Sequence, residues 1–268
     1  MFNRMLRGEM SQEEQNQREL IMDQFTKQAD SFAARAASEP FNQVSIDLLL
    51  QRVSLNGKES VLDVACGPGL LALGLAPKVK KVTGIDLVPA MLEKARAFQE
   101  ERGVDNAEWV LGDVNRLPFQ DLQFHGVVSR FSLHHNPDPA HMVDEMIRVA
   151  KKKGWICVID IAPSEDKAEA FNHFEKLRDP SHARALSVPE LKALARGAGL
   201  KNISLDFCSL ERELESQLAA SFPLPGNLEK IRQLFEEDPL SDKMGVQIRR
   251  VNGSIYYSYP VTLLVGYL

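Results

Sequence analysis

Residues 61–69 read Val61-Leu62-Asp63-Val64-Ala65-Cys66-Gly67-Pro68-Gly69, an apolar run that carries an acid and ends in a turn of small residues. A second run, Lys81-Val82-Thr83-Gly84-Ile85-Asp86, also closes on an acid. Small residues at such a turn let a ligand touch the backbone, because no side chain holds it away. The helix that follows offers free N–H groups. A carboxylate at the end of the next strand can accept from two neighbouring hydroxyls, as a ribose presents them. The pair therefore describes a nucleotide-type site at the end of a parallel sheet, and few other folds accommodate it.

Two cofactors suit such a site. Gly67-Pro68-Gly69-Leu70-Leu71-Ala72 satisfies the dinucleotide pattern G-x-G-x-x-G/A, so an NAD-dependent oxidoreductase is one reading. Asp63 argues against it, since an anionic pyrophosphate nearby would repel an acid inside the strand end. S-adenosylmethionine (SAM) carries an ammonium and a sulfonium, which such an acid attracts. A third run, Glu108-Trp109-Val110-Leu111, ends in Gly112-Asp113, which suits an adenine amino group. Asp63, Asp86 and Asp113 then stand at three successive strand ends, addressing the methionine end, the ribose and the adenine.

On these residues the chain resembles the class I SAM-dependent methyltransferases, and within them the ubiquinone/menaquinone-biosynthesis-type (methyltransferase type 11) subgroup. The matching segments are 61–69, 82–86, the following helix 87–96, Gly112-Asp113 with 114–119, and Phe131-Ser132-Leu133-His134-His135 after the fourth strand. The resemblance covers roughly 40–160 strongly. It departs at Ala65, where the family's first glycine stands, at Phe124-His125, and at Lys152-Lys153-Gly154. It implies a doubly wound, seven-stranded, mostly parallel Rossmann-like sheet with an antiparallel last strand. It also implies cofactor contacts from Asp63, Ala65, Gly67, Gly69, Asp86, Leu87, Met91, Gly112, Asp113, Val114, Arg130 and Phe131. Asp63 would hold the ammonium, Met91 would lie on the adenine, and the Val114 N–H would donate to the ring. Arg130 either holds a carboxylate or pairs with an acid. His134 or His135 is the candidate general base, since imidazole titrates near neutrality. Orientation alone, with structural histidines, is the plainer alternative.

The 268 residues suit one large domain or a domain with a cap. A formal net charge of −5 argues mildly against a nucleic-acid enzyme, which usually shows a basic face. Cys66, Cys157 and Cys208 are far apart and make no metal pattern, which fits a reduced, cytoplasmic protein. No apolar run approaches the ~18 residues of a membrane span, and residues 1–20 lack the apolar core of a signal peptide. Oligomeric state is not readable.

Residues 1–20 read as a polar lead-in, and 21–51 as helical with a break at Pro40. Strands are expected at 60–65, 81–86, 107–111, 126–130 and 155–161, with helices near 70–77, 89–102 and 139–151. Asp138-Pro139 and the Ser187/Glu190 capping box start two helices. Alternating apolar residues at 203–207 and 261–267 give two more strands. The expected division is a helical lid over 1–40, a core over 41–208 and 259–268, and a cap over 209–258. Arg178-Asp179-Pro180-Ser181-His182-Ala183-Arg184 concentrates polar groups in an expected loop. They supply an anion site or, more plainly, a solvated charge cluster. The chain is thus expected to methylate carbon or oxygen of a small molecule, without nucleic-acid or membrane partners and without a metal. A non-catalytic SAM-binding regulatory protein is a further reading.

Overall fold

The computed structural model describes residues 11–37, 39–238 and 240–268. In chain order the elements are α1 Gln12–Ala37, α2 Phe41–Arg52, β1 Ser60–Val64, α3 Leu70–Leu75, β2 Lys81–Asp86, α4 Pro89–Glu101, β3 Ala107–Leu111, β4 Phe124–Arg130, α5 Pro139–Val149, β5 Ala150–Ile161, α6 Ala168–Arg178, α7 Val188–Gly197, β6 Lys201–Glu213, α8 Leu214–Ala219, α9 Asn227–Glu237, β7 Arg249–Val251 and β8 Ser254–Tyr267. One sheet runs β3-β2-β1-β4-β5-β8-β6, with β7 paired to β8. β1 to β5 are mutually parallel, and β8 inserts antiparallel between β5 and β6. The order reverses at β1, so a crevice opens beyond the carboxyl ends of β1 and β4.

The sheet is covered on both sides, and alternate strand residues serve opposite layers. Val61, Cys157, Ile159 and Leu263 pack with Leu49, Leu71 and Phe171. Leu62, Val64, Ile156, Val158 and Leu264 pack with Met142, Met146 and Leu191. The expected helix starts are present: the Asp138 carboxylate accepts from the His141 N–H, and Ser187 and Glu190 cap α7 reciprocally.

The structure departs from expectation in three places. α1 reaches back to Gln12, so 12–20 is helix and not lead-in; residues 1–10 lie outside the described residues. Its inward face alternates glutamines (Gln17, Gln24, Gln28) with apolar residues (Ile21, Phe25, Phe32), which hides the periodicity that hydrophobicity alone would show. The sheet has eight strands and not seven, because Asn252 and Gly253 both take positive φ (50° and 87°) and close a two-residue hairpin between β7 and β8. Asn-Gly is the strongest short-range sequence signal for that turn. The loop expected over 178–184 follows α6 and is buried, not at the surface. Phe174 packs edge-on to Phe235 at 5.1 Å, and Phe235 meets Tyr257 at 5.0 Å, which fixes α9 against α6 and the sheet.

Gly69 serves the fold. Its φ is +73°, and a Cβ there would come within 2.4 Å of the Trp109 ring. Gly69→Ala should cost about 2–4 kcal/mol through left-handed strain and overpacking. Urea denaturation measures it, and a loss under about 1 kcal/mol would contradict this packing role.

Candidate active site

β1 and β4 each end beside a turn forced into unusual backbone. Ala65 has φ 55°, Gly67 has φ 54°, and Phe131, just past β4, has φ 55°. Non-glycine residues in that region store strain, which persists where the surroundings over-determine it. These turns line a cavity of about 260 Å³ that also receives Asp63, Asp86, Leu87, Met91, Asp113, Val114, Arg130, His134 and His135. Nearly all the residues singled out in the sequence therefore meet at one place. Gly69 and Gly112 do not line it: Gly69 packs on Trp109, and a Cβ on Gly112 would meet Ile85 Cδ1 at 2.8 Å.

Each acid is held differently. Asp63 is buried and accepts from the Ala72 N–H at 3.2 Å. Burial pushes its carboxyl up to about 7, although the Arg130 guanidinium pulls the other way. Arg130 itself donates to Asn42 Oδ1 (2.9 Å) and Ser45 Oγ (3.1 Å) on α2. Asp86 is also buried. Its Oδ2 accepts from the Gly67 N–H at 2.7 Å and its Oδ1 from the Val88 N–H at 2.9 Å. Burial raises its carboxyl as well, against these donors. Each oxygen keeps further accepting capacity, which two hydroxyls can use. Asp113 is half-buried, accepts from the Asn115 N–H at 2.9 Å, and faces Arg18 of α1 at 3.9 Å. Met91 and Val88 pack with Ala29, Ile21, Phe25 and Phe32 of α1, so an apolar wall faces the acids.

These residues fit SAM. Nothing lies within 4 Å of a Cβ placed on Gly67, so the turn leaves free space beside its backbone. A buried, destabilised carboxylate at Asp63 is the group an ammonium would relieve.

The histidines differ sharply. His134 Nδ1 lies 2.5 Å from Asp160 Oδ1, and its backbone N–H donates to Asp160 Oδ2 at 3.2 Å. Burial pulls the His134 imidazole down, and the Asp160 carboxylate more than reverses it, so His134 titrates above its ordinary range. His135 Nδ1 sits against Ser181 O (3.0 Å) and Ser181 Oγ (3.1 Å). Burial and the neighbouring His134 charge push His135 down to about 4, leaving it neutral.

Several contributors escaped the sequence reading. Asp160 is a strand-end acid in Ile159-Asp160-Ile161, the same signature that marked Asp63 and Asp86. Gln17 donates to the carbonyls of His135 (2.9 Å) and Ser181 (2.5 Å), and nothing in a polar helix marks it. Arg35, Arg212 and Tyr259 enter from segments without a motif. The 178–184 segment is not a solvated cluster. Arg178, Asp179, Ser181 and His182 are buried, and only Arg184 is at the surface, paired with Glu190.

Acids at three successive strand ends, over a glycine turn at the switch point of an open sheet, define a cofactor-dependent α/β enzyme. Residues 61–154 match the family described as a methyltransferase domain. The uncharacterized methyltransferase YcgJ of Bacillus subtilis is 34% identical over 151 residues, which is 56% of this chain and 60% of that protein. Its crystal structure superposes with a TM-score of 0.77, covering 84% of this chain and 98% of that one. A Bacillus halodurans structure, described only provisionally as a methyltransferase, is 32% identical, with a TM-score of 0.76 over 83% of this chain and 97% of that one. A ubiquinone biosynthesis O-methyltransferase of Xylella fastidiosa is 38% identical over 120 residues, 45% of this chain and 48% of the enzyme. The chain thus spans about half to three-fifths of these two curated relatives. It belongs to the SAM-dependent methyltransferases. No helix among the described residues is long and apolar enough to cross a membrane.

The Asp63 value predicts a pH effect. Below about 7 the empty site holds a proton on Asp63 that a cationic ammonium must displace. Affinity for S-adenosylhomocysteine (SAH) should therefore fall as pH drops from 7.5 to 5.5, approaching tenfold per unit, with proton release on binding. Calorimetry in buffers of different ionisation enthalpy reads both. A pH-independent affinity without proton release would remove Asp63 from the ammonium site. Gly67→Ala should leave the fold nearly intact, at a backbone cost of about 1–2 kcal/mol, yet weaken SAH binding at least tenfold.

Proposed function

We propose that this protein transfers a methyl group from SAM to an oxygen or carbon of a small-molecule acceptor, and that His134 takes the acceptor's proton. The observation that carries the reading is the buried His134–Asp160 pair on the same cavity as the three strand-end acids. Asp63 would hold the ammonium, Asp86 the ribose hydroxyls, and Asp113 and Val114 the adenine edge, with Met91 against its face. Bound SAM supplies an electrophilic methyl carbon, so the protein has to align a nucleophile and keep water out. With its proton on Nδ1 toward Asp160, His134 offers Nε2 as the base. Asp160 fixes the ring and stabilises the imidazolium that forms, in the manner of an orienting carboxylate. α1 acts as a lid and the α8–α9 segment between β6 and β7 as a cap, shorter than the expected 209–258 because both ends of that stretch are strand.

The family sets the NAD reading aside. The similarity to an O-methyltransferase favours an acceptor with a removable proton. The free cysteines fit a reducing cytoplasm, and a cavity of about 260 Å³ suits a small molecule better than nucleic acid.

The test is transfer of labelled methyl from SAM into a panel of phenols and acidic C–H compounds. The rate should rise with pH through a value above the ordinary imidazole range and then level. His134→Ala should lower turnover about 10²–10⁴-fold, the usual contribution of a general base. Asp160→Asn should lower turnover with little change in acceptor KM. Tight SAH binding with no transfer across the panel would favour the regulatory reading, and full activity in His134→Ala would remove the base.

A further inference from the structure

His134 and His135 stand side by side on the cavity wall, with ring centroids 4.2 Å apart. The surroundings of His135 fix where its hydrogen lies. The Ser181 carbonyl oxygen, 3.0 Å from Nδ1, can only accept. Ser181 Oγ, 3.1 Å from the same nitrogen, donates its own hydrogen to Asp179 Oδ1 at 2.6 Å, so toward His135 it too accepts. Both neighbours call for a donor, and Nδ1 therefore carries the hydrogen. Gln17 donates to the same Ser181 carbonyl, and Phe25 of α1 meets the imidazole edge-on at 5.0 Å, which holds the ring in this orientation. Nε2 is then a bare lone pair, since the ring's hydrogen bonds to described residues all fall on Nδ1. His182 Nδ1 is the single buried side-chain nitrogen or oxygen among the described residues that is sealed without a partner, so His135 Nε2 opens on the cavity.

Resting on the methyltransferase reading above, we infer that His135 Nε2 is a fixed hydrogen-bond acceptor that selects the methyl acceptor: the molecule must carry a further donor, a hydroxyl or an N–H, beside the atom that is methylated. The two rings divide the work. His134, backed by the Asp160 carboxylate, can take up a proton and release it. His135, pushed down to about 4 by burial and by the His134 charge, stays neutral around pH 7. With its one hydrogen committed to Ser181, it receives a hydrogen bond from the cavity and cannot supply one. A donor placed against Nε2 satisfies the lone pair. A methyl or methylene group in that place leaves a buried nitrogen unpaired, and a carbonyl or ether oxygen sets two lone pairs against each other. Sites built to pair a ligand's O–H or N–H reject the analogue without it far more strongly than apolar pockets reject a misfit. The short separation of the rings brings them to neighbouring substituents of one small molecule.

Long-range proton–nitrogen NMR on the full chain with isotope-labelled histidine reads the tautomer directly. A protonated Nδ1 and a bare Nε2 are expected at His135 around pH 7; the opposite tautomer or an imidazolium would overturn the assignment. Calorimetry on the free and SAH-loaded chain then compares two matched pairs of probes, 2-aminophenol against 2-methylphenol and 2-hydroxybenzyl alcohol against 2-ethylphenol. In at least one pair the donor-bearing probe should bind about tenfold or more tightly, and its binding should shift the His135 Nε2 resonance. The pair that responds tells N–H from hydroxyl. His135→Leu should abolish the preference, and His135→Gln, whose amide oxygen also accepts, should keep part of it. Equal binding within both pairs, no binding of any probe, or a preference that survives His135→Leu would overturn the selection. The tautomer and the matched pairs in the parent protein decide even if a variant fails to fold. Failure to bind SAH would sink the methyltransferase reading instead, and both measurements on the free chain would still decide the role of His135.

Discussion

The Asp86 carboxylate, fixed between the Gly67 and Val88 N–H groups, is the contact on which the site depends. It ties the turn after β1 to the turn after β2. Each turn would otherwise be free to choose another conformation, and Ala65 in particular sits where a non-glycine residue resists staying. A single buried acid thus sets the height of the glycine turn and its own orientation toward the cavity. Burial makes this costly, and the two backbone donors offset part of that cost. The arrangement is steady because the parallel β1–β2 register, Asp63 opposite Gly84, brings both loops to the same edge.

Acids and arginines are interleaved around the cavity. Asp63, Asp86 and Asp113 occupy the strand-end side, with Arg18 against Asp113, and Arg35, Arg178 and Arg212 line it together with Glu39 and Asp179. Arg130 stands between them, close enough to Asp63 to temper its desolvation and held by Asn42 and Ser45. Next to it, His134 and His135 occupy consecutive positions with opposite electrostatic fates. The Asp160 carboxylate behind one ring, and burial beside the His134 charge for the other, decide which imidazole takes a proton.

The sequence announced the sheet plainly. Apolar runs ending in acids, separated by helix-period segments, leave little choice but parallel strands with crossovers; β1 to β4 begin and end within two residues of expectation, whereas β5, β6 and β8 run five to seven residues longer at one end and β7 was not foreseen. The acids were legible because a carboxylate inside an apolar run has no cheap alternative. Asp160 carries the same mark and shows that the signal recurred on β5, beyond β4. What stayed hidden depends on contacts across long separations. Gln17 matters only because Ser181 lies against it, and Arg35 only because Arg178 and Arg212 arrive from elsewhere. The 178–184 segment looked solvated because its polarity was visible and its burial, under α1 and against α6, was not.

The fastening of α1 has a consequence for traffic through the site. Gln17, Arg18, Gln24 and Gln28 attach the helix with amide hydrogen bonds and one long ion pair to Asp113, mostly to main-chain carbonyls of His135, Ser181, Ser221 and Phe222. Water could substitute for each of these partners, and the apolar contact that an outward swing would break is the strip of Ile21, Phe25, Ala29 and Phe32 against Val88 and Met91. On the function proposed above, hinging this one helix would admit and discharge small molecules while the strands beneath keep their register.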